Sequence, residues 1–330
     1  MKKMFLKKRM FTLSVICLTV SSLTAVAAMP ERPEIRAAAA YVTDCDTGAA
    51  LYAKNADAQV SPGGTTMMMT AILGLELGQG KMDRNVTIAP ESTQLDSDVA
   101  VLGLRADRTA TLGNALAGMM TYSGCDAAMD IAATVASSQR DFVDKMNDKA
   151  LAIGAVHTHF TNPSGLPESG HYSTAADLAK IAAYGMKNSD FRTLVSRSSY
   201  EMTYSDGDTE TLTSLNELLA GQYEGANGVR TGSTDNGGPC LIASATREGK
   251  TLVAAVMNSS DRFGDAAALL DYGFAVLKEK GASGSDFATA TAGKSDENPY
   301  VLRDAPAGQT LSQLAAEQAA AAQHTQQSAL

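Results

Sequence analysis

Three short stretches hold the residue types that acyl-transfer chemistry uses: Ser61-Pro-Gly-Gly-Thr-Thr-Met-Met-Met-Thr70, Ser123-Gly-Cys-Asp-Ala127 and Gly228-Val-Arg-Thr-Gly232. That chemistry requires a nucleophile, a base within hydrogen-bond reach of it, and donors for the oxyanion. A serine with a lysine one helical turn later would supply the first two. Beyond residue 28, however, no lysine has a serine three positions before it. Lys294 follows Thr291 at that spacing, but the pair lies in a linker-like stretch without helical pattern and reads as chance. There is no Gly-x-Ser-x-Gly elbow either.

Metal and redox chemistry find no better support. Cys45, Cys125 and Cys240 follow an apolar leader that contains Cys17. Three thiols in an exported chain leave at least one unpaired within a monomer. Their separations do not resemble a zinc ligand set, and His157, His159, His171 and His324 form no metal motif. No metal and no cofactor are expected. Met67, Met68 and Met69 would suit a soft metal, but at helical spacing at least two of them read as core packing.

The elements that must position these stretches follow from periodicity and turn chemistry. Lys2, Lys3, Lys7, Lys8 and Arg9 precede an apolar run from Phe11 to Leu23, and Ala25-Val26-Ala27 offers small-x-small cleavage, so residues 1–28 read as a signal peptide. Val42 to Tyr52 reads as two strands around an Asp-Thr-Gly turn. Thr65 to Leu77 is a long apolar run that Gly78 would stop, and Gly63-Gly64 makes a plausible helix start. Residues from about 110 to 190 are rich in Ala and Met at helical spacing, as in Leu112, Leu116, Met119 and Met120. A helical subdomain over about 80–190 is the expectation. Cys240–Thr246 and Thr251–Met257 read as a second hairpin around Arg247-Glu-Gly-Lys250, followed by a closing helix over Ala266–Leu277. Strands at both ends with helices between them indicate an α+β layer arrangement, its sheet completed by the N- and C-terminal segments. The main domain is expected over 29–281. Residues 282–330, dominated by Ala, Gln and Ser, read as a tail whose composition fits either disorder or a weak helix. It lacks a sustained apolar face and is not read as a membrane anchor.

Charge narrows the partners. The whole chain has a net charge of −9, and removal of the five cations of residues 1–28, which hold no acidic residue, takes it to −14. A chain this acidic is poorly suited to nucleic acid or anionic lipid.

The order and spacing of the motifs resemble the D-alanyl-D-alanine carboxypeptidases, the low-molecular-weight penicillin-binding proteins of serine peptidase family S11, over roughly residues 38–280. In that family the first stretch reads roughly P-A-S-x-T-K-I-M-T-A, the second S-G-N-D-A and the third G-x-K-T-G. Phe160-Thr-Asn-Pro-Ser-Gly-Leu-Pro167 and His171-Tyr-Ser-Thr-Ala-Ala-Asp-Leu-Ala179 resemble its connecting segments. The resemblance implies a β-lactamase/DD-peptidase-like fold with an antiparallel sheet flanked by helices. It also implies a cell-wall stem peptide ending in D-Ala-D-Ala as the ligand, with other cell-wall proteins as further partners. Many relatives add a β-rich domain and an amphipathic anchor, and the roughly 50 residues here after the match are too few for that domain.

Carried over position by position, the resemblance places Gly64 where the nucleophilic Ser belongs and Met67 where the Lys base belongs. Glycine has no oxygen to acylate, and a thioether accepts no proton. Cys125 stands where an Asn holds substrate, and a thiol is a weak hydrogen-bonding substitute. Ser123, Thr231 and Gly232 match. Arg230 keeps the charge of the family Lys in a different shape, and with Thr231 it would suit a ligand carboxylate. Backbone N–H groups at Gly64 and Ser233 would form the oxyanion hole, independent of the changed side chains. Three readings stand at this point: a catalytically inactive binding or regulatory protein of peptidoglycan metabolism, a hydrolase with a displaced nucleophile at Cys125 or Thr65, and a non-enzymatic scaffold. Thr65 on a helix would point about 100° away from position 64, Thr66 has its own structural place in the family, and Cys125 reads as a buried small hydrophobe without a visible base.

Overall fold

Five antiparallel strands run in the order β2-β1-β7-β6-β5 in the computed structural model, which describes residues 29–235 and 237–283. They are β1 (Ala39–Asp44), β2 (Ala50–Lys54), β5 (Ala226–Thr234), β6 (Gly238–Arg247) and β7 (Lys250–Met257). The first strands thus join the last at the centre of the sheet, β1 pairing with both β2 and β7. One carboxylate helps to fix this closure. Asp265, buried in α7 (Arg262–Ser283), accepts the N–H groups of Arg36 at 3.0 Å and Ala37 at 2.8 Å and the Ser259 hydroxyl at 2.6 Å.

The inner strands read as unbroken apolar runs because both of their faces are covered. Leu241, Ala243, Ala245, Leu252, Ala254 and Val256 pack with Ala266, Leu269 and Leu270 of α7. The alternate residues Ile242, Val253, Ala255 and Met257 face the helical side. That period of two is the pleat of a strand. Glu248 and Gly249 take φ of 49° and 74°, the backbone of a two-residue hairpin turn. The Asp-Thr-Gly turn forms as expected, with Gly48 at φ 71° and the Asp44 carboxylate accepting Asp46 N–H at 2.8 Å.

On the other face α1 (Met67–Leu77) is central, with every residue from Met67 to Gly74 buried. A helix apolar on all sides belongs in an interior. Around it lie α2 (Leu112–Thr121), α3 (Cys125–Val135), α4 (Gln139–Ile153), α5 (Ala175–Gly185) and α6 (Ser189–Val195). Thr111, Ser138 and Thr174 cap α2, α4 and α5 by accepting the N–H three residues on. Residues 81–111 carry only a 3-10 turn, Pro90–Gln94, and are bound to α3 by its carboxylates. Asp126 accepts Leu102 and Leu104 N–H, both at 2.9 Å, and Asp130 accepts Ala89 N–H at 2.7 Å.

A further hairpin, β3 (Ser199–Thr203) with β4 (Thr209–Thr213), was not expected from the sequence. Each strand buries a single apolar side chain, Met202 or Leu212, which leaves almost no periodicity to read. Among the described residues no helix is long and apolar enough to cross a membrane. The leader read over 1–28 and nearly all of the tail read over 282–330 lie outside the described residues.

Candidate active site

The chain enters α1 through a 3-10 turn, Gly63–Thr66, which lies against the second half of β5. Two close backbone approaches hold it there. A Cβ on Gly232 would stand 3.1 Å from Gly64 N, Pro62 O and Thr65 N alike, so any side chain there would press β5 away from the turn. Gly165, at φ 82°, packs so tightly behind the turn that a Cβ there would fall 1.9 Å from Gly63 O. The Gly232 contact joins the first and third motifs, and Gly165 backs the turn from another segment.

At Gly64 itself a side chain would fit. A Cβ would meet Thr231 O at 3.3 Å and Gly232 Cα at 3.6 Å, ordinary or slightly tight contacts. The next atom it would meet is Nη2 of Arg230, at 3.8 Å. The Arg230 guanidinium has turned inward and is buried. Its Nε donates to Gly64 O at 3.2 Å, Nη1 to Met120 O at 3.0 Å and Nη2 to Met67 Sδ at 3.0 Å. Burial draws its pKa down to about 10, which still leaves it charged at neutral pH. Among the described residues no carboxylate stands within ion-pair distance of it. Gly64 and Met67, the positions expected for nucleophile and base, thus present a hydrogen atom and a thioether, and both lie near one buried cation. The side chain expected to meet a ligand carboxylate makes these three hydrogen bonds inside the protein.

The second motif closes the opposite wall. Ser123 is half-buried and takes φ 122°, outside the regions that non-glycine residues favour. Cys125 opens α3, buried, its N–H donating to Ala100 O at 2.9 Å. Burial pushes its thiol up to about 11, and the nearby Arg230 charge offsets only part of that. A thiol protonated at neutral pH is a poor nucleophile.

Both threonines of the turn are engaged in hydrogen bonds. Thr65, 1% exposed, donates its hydroxyl to Pro62 O at 2.6 Å. Thr66 Oγ1 lies 2.9 Å from His171 Nε2, a spacing that suggests a nucleophile and its base. The far side of the ring excludes that reading. His171 Nδ1 accepts the Thr161 backbone N–H at 3.1 Å, so Nε2 carries the proton and donates it to Thr66. Burial lowers the His171 pKa to about 4, Glu168 opposing weakly. Sequence reading gave His171 no role beyond a matching segment. Its partners come from Thr66 and Thr161, and the distance in sequence hides the network.

The backbone donors fare differently from the side chains. Pro239, opposite Ser233 in the β5–β6 pair, turns its carbonyl to Ser259 N–H at 2.9 Å, away from β5. In an antiparallel pair the partner then faces outward as well. The Ser233 N–H is therefore directed to the outer edge of β5, where Thr231 O already meets the Gly64 turn. Arg262 donates to Gly232 O at 3.2 Å on the β6 side of the same strand. Among the described residues no cluster of three or more His, Cys, Asp or Glu could hold a metal.

A family model described as D-alanyl-D-alanine carboxypeptidase matches residues 26–261. The chain belongs to the D-alanyl-D-alanine carboxypeptidase family. It is 36% identical over 261 residues to a D-alanyl-D-alanine carboxypeptidase of Streptomyces sp. strain K15, a match covering 74% of this chain and 89% of that protein. A D-alanyl-D-alanine carboxypeptidase of Mycobacterium tuberculosis is 32% identical over 243 residues, covering 71% of this chain and 81% of the relative. The crystal structure of the Streptomyces K15 DD-transpeptidase superimposes with a TM-score of 0.70 at 35% identity, covering 74% of this chain and all of that one. The α+β fold and its antiparallel sheet are those of the DD-peptidases. That transpeptidase has also been solved with a native serine and a native cysteine, two residues apart, each replaced. Ser123 and Cys125 have the same spacing.

Proposed function

We propose that this member of the carboxypeptidase family acts in peptidoglycan metabolism by binding and not by bond cleavage. One observation carries the reading: a Cβ at Gly64 would meet Nη2 of Arg230 at 3.8 Å, and that nitrogen donates to the Met67 thioether, so positions 64 and 67 themselves offer neither a hydroxyl nor an amine. A guanidinium is always a donor at neutral pH and takes no proton from a nucleophile. The substitute nucleophiles are weak on chemical grounds, Cys125 through its raised pKa and Thr65 and Thr66 through burial and their hydrogen bonds. A cysteine at the spacing of Cys125 occurs in the K15 transpeptidase, so the case rests on positions 64 and 67 rather than on 125.

The ligand we assign is a stem peptide ending in D-Ala-D-Ala, held chiefly by backbone groups along the outer edge of β5 and the Gly64 turn. Thr231, Gly232 and Ser233 supply that edge, and Arg230 shapes it from within. An extracytoplasmic location follows from the leader read in residues 1–28. Titration of the purified protein with an N-acylated D-Ala-D-Ala peptide tests the proposal. Saturable binding without release of D-Ala supports it. Stoichiometric turnover with D-Ala release refutes the non-catalytic reading. Neither binding nor release transfers the role to a scaffold for other cell-wall proteins.

A further inference from the structure

Position 230 matches the family pattern in charge, so from sequence it looks like the least damaged part of the site. The geometry gives it a different weight. The guanidinium ties three elements together, touching the Gly64 turn, α2 through Met120 O, and α1 through Met67 Sδ. We propose that Arg230 is a third and separate barrier to acylation: it occupies the reaction cavity, and restoring Ser at 64 and Lys at 67 does not restore chemistry while arginine stands at 230. The inference rests on the non-catalytic reading above.

Two physical effects support it. A serine at 64 would place its Oγ one bond beyond a Cβ that already lies 3.8 Å from Nη2. The hydroxyl oxygen would then lie within reach of a charged donor, and accepting from it lowers the oxygen's nucleophilicity. A lysine at 67 would put its ammonium two bonds beyond the atom that now contacts Nη2 at 3.0 Å. Two cations that close in a buried site repel, and relief by shifting the lysine side chain, α1 or β5 carries the amine away from position 64. Lysine at 230 relieves both effects. Its ammonium falls near the place of the guanidinium carbon, one bond short of Nη2, which leaves the corner between 64 and 67 open.

The test compares the parent, Gly64→Ser/Met67→Lys, and Gly64→Ser/Met67→Lys/Arg230→Lys, each incubated with a fluorescent penicillin and read by intact mass. The triple variant is expected to acylate at least tenfold more than the double. Equal acylation of the two overturns the proposal. Where neither acylates, a stability cycle decides. Met67→Lys should lower the melting temperature by roughly 8 °C or more in the parent, and by less than half of that in an Arg230→Met background. Arg230→Gln, which keeps N–H donors, replaces Arg230→Met if the latter does not fold. The same penalty in both backgrounds overturns the proposal. A penicillin adduct on the parent itself refutes the non-catalytic reading alone, and the cycle still judges Arg230.

Discussion

Two buried groups with oppositely shifted pKa values make a sharp prediction about acid stability. His171, 8% exposed, is lowered from 6.5 to about 4 by burial, Glu168 opposing and His159 adding to the shift. Asp130, fully buried, is raised from 3.8 to about 6, again by burial first, with the Ala89 N–H and Ser92 opposing and Asp126 adding to it. Its Oδ2 has no hydrogen-bond partner. Above pH 6.5 His171 is neutral in both folded and unfolded chains. As pH falls toward 4 the unfolded chain takes the proton first, so stability is lost. Asp130 works in reverse. The unfolded chain ionises near 3.8 and the native one only near 6, so its contribution is lost as pH rises through that interval. At about 1.4 kcal/mol per pKa unit each shift is worth about 3 kcal/mol. The slopes therefore nearly cancel between about pH 4 and pH 6. Asp130→Asn should unmask the histidine: variant minus parent stability rises by about 3 kcal/mol from pH 4 to 6.5. His171→Gln should give a difference of similar size that falls over the same range. Urea unfolding at half-unit pH intervals measures both curves, and groups common to variant and parent drop out of the difference. Difference curves flat to within about 0.5 kcal/mol, outside which a surface change seldom falls, would refute the reasoning.

Other consequences are simpler to test. Gly232→Ala should push β5 off the Gly64 turn, since its Cβ meets three backbone atoms at 3.1 Å. A loss of about 1–3 kcal/mol by urea unfolding is expected, and an unchanged midpoint would show that the approach is loose. Cys45, Cys125 and Cys240 are buried, with thiols raised to about 12, 11 and 11. All three should resist a thiol reagent at pH 7 in the folded protein and react once it is unfolded. Fast labelling of Cys125 in the native state would reopen its role as a nucleophile.

Much of the fold was legible because its signals are local. Asp-Thr-Gly and Glu-Gly between apolar runs marked the hairpins β1–β2 and β6–β7, and the run closed by Gly78 marked α1. The β3–β4 hairpin escaped because Ser199–Thr203 and Thr209–Thr213 bury one apolar residue each. At the site, Gly64 and Met67 were readable by type alone. What Arg230 does was not. Its charge suggested an outward-facing ligand for carboxylates, and only the three-dimensional path of its side chain shows it buried against Gly64, Met67 and Met120. The partnership of His171 with Thr66, and those of Asp126 and Asp130 with the 86–104 segment, join residues far apart in sequence. No spacing rule reveals such pairs.

The central claim is that the cleft has lost its reactive pair, and covalent labelling examines it most directly. Purified protein incubated with excess fluorescent penicillin and measured as intact mass should keep the mass of the unmodified chain, with no fluorescent band after denaturing electrophoresis. A stoichiometric adduct of one penicillin per chain would contradict the account.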